Sequence, residues 1–171
     1  MKFHTLFSDR FILKILTKEL VTETYLAWFK PENDSGFIEY TRNQNITLDS
    51  LKIFVEEKFN SKDCLFFGIF DLKDNKHIGN IKFEPVNFQL GYAVLGVLIG
   101  APEWRGKGVF AEVFKALSAE LKSLGISKIY LGVSKENVAA VAAYKKSGFI
   151  IDAENFFKIK SEKNLSMVKY L

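Results

Sequence analysis

Residues 100–111, Gly-Ala-Pro-Glu-Trp-Arg-Gly-Lys-Gly-Val-Phe-Ala, have the composition of an anion-binding loop. They follow an apolar run typical of a buried strand and precede apolar residues at helical spacing. Glycines let backbone N–H groups approach a ligand without an intervening Cβ, and a helix N-terminus adds free donors and partial positive charge. With the cations of Arg105 and Lys107, the segment predicts a phosphate or pyrophosphate site.

Other glycine-rich loops fit these residues less well. A P-loop has four residues between its first glycine and the Gly-Lys pair, then Ser or Thr. Here five residues separate Gly100 from Gly106, and Gly108 follows Lys107, so a P-loop is excluded. A dinucleotide fingerprint can be written from Gly106 onward, but the next predicted strand does not end in the acid that binds ribose. A plain turn between strand and helix is the remaining alternative.

A second motif lies downstream, with Asn137, Ala140, Tyr144, Gly148 and Phe149 at fixed spacing. Asn137 can cap a helix and also reach a ligand. Ala140 and Tyr144 are four residues apart and therefore share one helix face. The small Ala140 leaves room beside the Tyr144 hydroxyl. Gly148 allows a left-handed helix end, and Phe149 is expected to pack into the core.

Both motifs resemble those of the GNAT acetyltransferase superfamily. The run Arg105-Gly-Lys-Gly108 resembles its Arg/Gln-x-x-Gly-x-Gly/Ala signature, and the downstream motif is similar to Asn-x-x-Ala-x-x-x-Tyr-x-x-x-Gly-Phe at every fixed position. One position departs, because Phe110 stands where the family usually has Gly or Ala. Residues 10–60 more loosely resemble the RimJ/RimL-like branch, whose members act on protein N-termini, small amines or amino sugars.

The resemblance implies direct transfer of an acetyl group from acetyl-CoA to an amine, without a metal. The pyrophosphate would lie on the glycine loop, and the pantetheine arm would pair with the end of the preceding strand. The coenzyme site implied in this way consists of Val97, Leu98, Ile99, Arg105, Gly106, Lys107, Gly108, Val109, Phe110, Asn137, Ala140 and Tyr144.

Three chemical roles follow from the same resemblance. Tyr144 would give a proton to the leaving thiolate, and a backbone N–H near Leu98 would stabilise the thioester oxygen. Glu84, at the end of a strand expected to neighbour the coenzyme strand, could remove the amine proton through water. A solvated glutamate before Pro85 is an equally good interpretation of that residue.

The remaining reactive residues are interpreted as structural. His77 follows a turn and is expected at the surface, and His4 lies near the N-terminus without a partner in sequence. Cys64 is expected to be a buried thiol. No cysteine pair or paired histidines suggest a metal site.

The acceptor site is expected between the two N-terminal helices and the polar segment that connects them. Arg42 could pair with a phosphate or carboxylate of the acceptor. Helical spacing also places Trp28 on the core face. The candidate lining residues are Trp28, Phe29, Tyr40, Arg42 and Asn43.

The elements needed to position these residues alternate between α and β. We expect an α+β fold of the GNAT type, with a mixed, mostly antiparallel sheet and helices on both faces. The segment 92–99 is a continuous apolar run, as a strand buried on both faces would be. The predicted helices are 17–29, 47–59, 108–124 and 137–147, and the predicted strands are 10–16, 65–71, 78–83, 92–99, 128–133, 149–151 and 166–170.

Composition limits the class of protein. The 171 residues include one cysteine and carry a net charge of +4, which favours a single domain over residues 1–171 in a reducing cytoplasm. The lysines are dispersed, so a nucleic-acid partner is not expected, and no apolar run is long enough for a membrane span. The expected partner is a small-molecule amine or amino sugar, with a homodimer left open. A non-catalytic acyl-CoA-binding module is the alternative function.

Overall fold

The computed structural model describes residues 4–30, 45–159 and 162–171. Its strands are β1 (Leu6–Phe7), β2 (Phe11–Ile15), β3 (Leu65–Asp71), β4 (His77–Asn87), β5 (Tyr92–Ile99), β6 (Lys128–Ser134), β7 (Ile150–Ile151) and β8 (Asn164–Tyr170). Its α-helices are α1 (Glu23–Ala27), α2 (Leu48–Asn60), α3 (Val109–Ser123) and α4 (Val138–Lys146). Short 3-10 helices span Lys18–Leu20 and Pro102–Trp104. None of the helices in the described ranges is long and apolar enough to cross a membrane.

The strands form one eight-stranded sheet in the order β1-β2-β3-β4-β5-β6-β8-β7. Every neighbouring pair is antiparallel except β5 and β6, which are parallel. The β4–β5 ladder extends to the pair Gly79↔Ile99, whereas the β5–β6 ladder stops at Val94↔Tyr130. Residues 95–99 of β5 therefore have no described strand partner on the β6 side, and we call this opening the β5–β6 gap.

Helices cover both faces of the sheet, as predicted, because successive strand residues point to opposite faces. Helix α3 packs on the face that we call the back, where Phe67 joins Val113 and Leu117 in one buried cluster. Helices α1 and α2 pack on the opposite, front face, where Phe66 and Trp28 belong to a second buried cluster. The predicted mixed, mostly antiparallel sheet with helices on both faces is confirmed.

The first helical region differs from the prediction. Instead of one helix from residue 17 to 29, a 3-10 turn precedes α1, and Val21 is extended between them. Val21 and Thr22 are β-branched and disfavour a helix interior. The Thr22 side chain also accepts a hydrogen bond from the Tyr25 N–H at 3.4 Å, so it caps a new helix. Thr17, predicted as the cap, makes no such bond.

The second helix begins where its sequence predicts. The Thr47 hydroxyl accepts from the Ser50 N–H at 3.1 Å, and the Ser50 hydroxyl oxygen accepts from the Thr47 N–H at 2.9 Å. This reciprocal capping box satisfies two backbone donors that a helix leaves free at its start.

The burial of β5 also differs from the prediction, although its bounds agree. Ala93 and Leu95 are buried on the back face, but Gly96 is exposed. Since β6 diverges from β5 after Val94, part of the front face beside the strand stays open. The strand is therefore apolar throughout without being buried on both faces.

Candidate functional site

The edge of β5 presents backbone groups without a described strand partner to the β5–β6 gap. The Gly100 N–H donates to the Ile78 carbonyl at 3.0 Å, so the amide of Gly100 points toward β4. Backbone groups point alternately to the two sides of a strand. The N–H and C=O groups of Val97 and Ile99 therefore face the gap, whereas those of Leu98 face β4. The backbone N–H near Leu98 that could stabilise a thioester oxygen is therefore that of Val97 or Ile99.

The glycine loop has the conformation that its sequence requires. Gly106 and Gly108 have φ values of 72° and 75°, in the left-handed region that side chains disfavour. A Cβ added at either residue would meet no atom within 4 Å, so the backbone there is open to a ligand. Helix α3 begins at Val109, and no described residue accepts from the N–H groups of residues 109–111. These donors and the helix dipole form an anion site.

The two cations of the loop have different roles. Arg105 donates from Nε to the Ile99 carbonyl at 3.0 Å and from Nη2 to the Gly100 carbonyl at 3.3 Å. It therefore ties the loop to the end of β5, a contact that the sequence did not predict. Lys107 is exposed, with Nζ 5.7 Å from the centroid of the Trp104 ring. Lys107 is two residues before the first residue of α3 in sequence.

Phe110 points away from the loop. Its side chain is 7% exposed and belongs to the back-face core. The ring stacks on Phe114 at a centroid distance of 5.3 Å and meets Tyr144 edge-on at 5.0 Å. The large residue at this position therefore supports α3 and α4 and leaves the anion site open.

Helix α4 carries Tyr144 to the same region. Asn137 caps the helix, with Oδ1 accepting from the Ala140 N–H at 3.1 Å. The Tyr144 ring packs on Phe110 and Phe149, but its hydroxyl has no hydrogen-bond partner among the described residues. Burial raises the pKa of Tyr144 to about 12. The hydroxyl is therefore protonated at neutral pH and can donate to an anion.

Glu84 forms two ion pairs. Its carboxylate lies 2.6 Å from Lys58 Nζ and 2.7 Å from Lys82 Nζ. Burial alone would raise the pKa of Glu84, but the hydrogen bonds from the two lysines outweigh it and lower the pKa below its ordinary value. A carboxylate held in this way is a poor proton acceptor, which counts against the predicted role as base.

His77 is buried, and its predicted surface location is wrong. The residue is 7% exposed, stacks on Phe70 at a centroid distance of 4.6 Å, and meets the Trp28 ring at 4.8 Å. The β3–β4 register shifts between Ile69 and Phe70, opposite the start of β4. Because a bulge depends on the partner strand, the sequence around His77 carries no signal for this burial.

Cys64 is a buried thiol, as predicted. Burial raises its pKa to about 11, so the neutral thiol prevails at neutral pH. A thiolate is the nucleophilic form of cysteine, and Cys64 is therefore poorly suited to form a covalent acyl-enzyme. No group of three potential metal ligands occurs in the described part of the chain.

Only some of the expected acceptor residues can be placed. Trp28 is 4% exposed, and its indole lies against Gly100, where any added Cβ would collide with it. It therefore supports the end of β5 from the front face. Phe29 is half-buried, with its ring centroid 5.4 Å from that of Tyr25. The other three, Tyr40, Arg42 and Asn43, lie outside the described residues.

The sequence did not predict that residues 152–159 form a wall on the front face, which we call the aromatic wall. In the segment 152–159, Phe156 stacks on Tyr130 of β6 at a centroid distance of 4.2 Å. Asp152 anchors the segment, accepting from the Phe156 N–H at 2.6 Å and the Ser166 hydroxyl at 2.8 Å. Phe157 lies against exposed Gly132. The signal available was an aspartate followed by two adjacent aromatic residues at a turn.

Comparisons with known proteins agree with this geometry. The model of the acetyltransferase (GNAT) family matches residues 17–149, more than half of the chain. The chain is 34% identical over 95 residues to the uncharacterized N-acetyltransferase YobR of Bacillus subtilis, covering 56% of this chain and 36% of that protein. It is 29% identical over 143 residues to spermidine N(1)-acetyltransferase of Vibrio cholerae, covering 72% of this chain and 81% of that protein.

Solved structures show the same fold. A GNAT acetyltransferase from Bacillus anthracis has a TM-score of 0.77 at 17% identity, covering 98% of both chains. Spermidine N-acetyltransferase from Vibrio cholerae, in complex with CoA and spermine, has a TM-score of 0.71 at 24% identity, covering 94% of this chain and 95% of that one.

Among curated relatives, the match spans only 36% of YobR and 44% of spermidine N(1)-acetyltransferase from Escherichia coli K12.

Proposed function

Since this chain belongs to the acetyltransferase (GNAT) family, we propose that it is an N-acetyltransferase, moving an acetyl group from acetyl-CoA directly to a primary amine of a small molecule. The observation that carries the proposal is the β5–β6 gap. It runs along the free edge of β5, next to the open amides at the start of α3 and the helix that carries Tyr144.

The residues present fit acetyl-CoA. Unpartnered N–H groups of residues 109–111 would bind its pyrophosphate, with Lys107 adding charge. The gap-facing N–H and C=O groups of Val97 would pair with the pantetheine arm as a further strand would. When bound, acetyl-CoA supplies the activated acetyl group as a thioester.

The chain then has three tasks in the reaction. A gap-facing amide, of Val97 or Ile99, stabilises the negative charge that develops on the thioester oxygen. The Tyr144 hydroxyl donates a proton to the sulfur as the C–S bond breaks and the N–C bond forms. The walls of the cleft hold amine and thioester together, and this proximity alone can supply a large part of the rate.

Spermidine and spermine are the first acceptors to test, because several relatives are named for spermidine acetylation. The ion-paired cluster of Lys58, Lys82 and Glu84 is net positive and would suit an acceptor with an anionic part, such as a nucleotide-linked amino sugar. A protein N-terminus is the next acceptor to test, because residues 10–60 resemble the RimJ/RimL-like branch. We take a small-molecule amine as the substrate class, because relatives named for spermidine acetylation support it.

Binding and turnover separate this proposal from its alternative. Calorimetric titration with acetyl-CoA, CoA and NAD should show binding of the first two only. Release of the CoA thiol should then require an amine from a panel of spermidine, amino sugars and short peptides. Binding of acetyl-CoA without amine-dependent release on any of them would favour the non-catalytic acyl-CoA-binding module. Binding of NAD alone would overturn both.

A further inference from the structure

One arginine side chain joins the connection between β1 and β2 to the glycine loop and to α3. Nε of Arg10 donates to Oε2 of Glu112 at 2.7 Å, and Nη2 donates to the carbonyl oxygen of Lys107 at 3.1 Å. A guanidinium is planar and holds its N–H groups in fixed directions. Arg10 therefore fixes the backbone at Lys107 relative to the first turn of α3, although 97 positions separate the two residues in sequence.

Glu112 anchors this arginine. It lies in the first turn of α3, and its Oε1 accepts from the Arg10 backbone N–H and from the Ser8 hydroxyl, both at 2.7 Å. Burial alone would raise the pKa of Glu112, but the hydrogen bonds from Ser8 and Arg10 outweigh that effect and lower the pKa below its ordinary value. The carboxylate is therefore ionised at neutral pH, and its hydrogen bonds to Arg10 are charge-assisted.

Two aromatic rings hold the guanidinium in place. Its Cζ lies 4.9 Å from the centroid of the Phe11 ring and 5.8 Å from that of the Trp104 ring. The two rings meet edge-on at a centroid distance of 5.2 Å, and cation–π attraction favours a guanidinium beside them. Trp104 ends the 3-10 helix that leads into the glycine loop, so Arg10 is held against the loop by packing as well as by hydrogen bonds.

The hydrogen bond to Lys107 orients the amide of the next residue. In a planar trans peptide, the C=O of one residue and the N–H of the next point in opposite directions. Because the Lys107 carbonyl is held toward Arg10, the Gly108 N–H points away from Arg10. No described residue accepts from this N–H. It immediately precedes the unpartnered N–H groups of residues 109–111, so Arg10 fixes the direction of a further donor of the anion site.

The glycine loop needs such a restraint. Glycine has more backbone freedom than any other residue, and Gly106 and Gly108 flank Lys107 on both sides. A loop that must be ordered at the moment of binding lowers the affinity for its ligand. Arg105 ties one side of the loop to the end of β5, and Arg10 holds the other side.

We propose that Arg10 is a positioning residue for the coenzyme, holding the Lys107–Gly108 peptide so that the Gly108 N–H faces the pyrophosphate of acetyl-CoA. This inference rests on the proposed acetyl transfer. Arg10 acts through the loop and not on the reacting atoms. It also neutralises Glu112, whose carboxylate in the first turn of α3 would otherwise repel the pyrophosphate.

Calorimetric titration with acetyl-CoA tests the proposal, at a temperature where each variant is folded. Arg10→Gln should raise the Kd for acetyl-CoA by about 3- to 10-fold, the effect of losing one hydrogen bond. Lys18→Gln is the matched control, because it removes another ion pair of similar exposure, with Lys18 48% and Arg10 42% exposed. The control should leave the Kd unchanged. An unchanged Kd in Arg10→Gln would overturn the proposal.

Arg10→Lys separates the geometry of the side chain from its charge. A lysine keeps the positive charge, but its single ammonium lacks the fork that reaches Glu112 and Lys107 together. The Kd for acetyl-CoA should therefore rise in Arg10→Lys as it does in Arg10→Gln. Binding as tight as in the wild-type protein would mean that charge alone is sufficient, and the positioning role would be wrong.

A shortened acetyl donor distinguishes positioning from a general loss of structure. S-acetylpantetheine ends before the pyrophosphate, so Arg10→Gln should lower kcat/KM for acetyl-CoA and leave kcat/KM for S-acetylpantetheine and the KM for the amine unchanged. Equal losses with both donors would mean that Arg10 only supports the fold. If the wild-type protein binds no acetyl-CoA, it is the proposed function that fails. If it binds acetyl-CoA but acetylates no amine, the titrations still decide the role of Arg10.

A measurement on the wild-type protein does not depend on any variant folding. In amide NMR, the Gly108 proton signal should move to lower field when CoA is added, because its N–H becomes bonded to phosphate. A Gly108 signal that stays in place while those of residues 109–111 move would overturn the proposal and leave the coenzyme site intact.

Discussion

Replacing Gly108 by alanine should separate acetyl-CoA binding from folding. Gly108 has a φ of 75°, and a Cβ there would meet no atom within 4 Å. The cost to the free protein is therefore backbone strain alone, about 1–2 kcal/mol for an alanine in the left-handed region. For a domain of this size we expect the Tm to fall by about 2–8 °C.

The same Cβ would project into the space next to the open amides of α3. An anion displaced from one of these N–H groups loses a charge-assisted hydrogen bond, worth about 1.5–3 kcal/mol. We therefore expect Gly108→Ala to weaken acetyl-CoA binding by about 10- to 100-fold, measured by titration calorimetry.

Gly125 provides a matched control at the other end of α3. It has a φ of 83°, and a Cβ there would also meet no atom within 4 Å. Gly125→Ala should lower the Tm by a similar amount and leave the affinity for acetyl-CoA unchanged. Equal affinities in the two variants would refute the assignment of residues 106–111 to the coenzyme.

Three further predictions concern Tyr144 and the aromatic wall. Tyr144→Phe should lower kcat at least tenfold and leave the Kd for acetyl-CoA unchanged. Since the hydroxyl has no described partner, the free energy of unfolding should shift by less than about 0.5 kcal/mol. Unchanged turnover would show that Tyr144 is not the acid. Below pH about 10, Tyr144 is neutral in both the folded and the unfolded protein and adds no pH dependence to stability. Because burial raises its folded-state pKa to about 12, the free energy of unfolding should fall by about 2–3 kcal/mol as pH rises from about 10 to 12. Denaturant unfolding of Tyr144→Phe should show a correspondingly smaller loss over this range, and an equal loss in the two proteins would contradict this. Asp152→Ala removes hydrogen bonds worth about 1.5–3 kcal/mol and releases the segment 152–159 from its anchor. The KM for the acceptor should therefore rise, while the Kd for acetyl-CoA stays constant. An unchanged KM would show that the segment does not touch the acceptor.

Local signals in the sequence predicted the starts of two helices and the left-handed end of one of them correctly. The caps Thr47 and Asn137 and the left-handed Gly148 act through residues no more than a few positions away. Such interactions depend little on the rest of the fold, so sequence alone was sufficient for them.

The break before α1 is also local, but two signals compete there. Tyr25 and Trp28 recur at helical spacing, which predicts a continuous helix. The β-branched pair Val21 and Thr22, together with the hydrogen bond from the Tyr25 N–H to Thr22, interrupts it. The periodicity still identified the buried face correctly, because both aromatic residues are in the front-face core.

The acceptor side depends on contacts between distant residues. His77 is buried because the β3–β4 register shifts at the start of β4 and because Trp28 packs across the strand end. Asp152 orders its segment through Ser166 of β8. Composition and spacing around each residue do not report such partners, so sequence reasoning placed His77 at the surface and overlooked the aromatic wall.

Amine-dependent release of the CoA thiol from acetyl-CoA tests the central claim most directly. The purified protein would be incubated with acetyl-CoA and each acceptor in turn, and the product would be identified by mass spectrometry. The account predicts thiol release only when a suitable amine is present, with the acetyl group on its nitrogen, and a strong reduction in Tyr144→Phe. Saturating acetyl-CoA binding with no release for any amine would contradict the claim that this protein is an acetyltransferase.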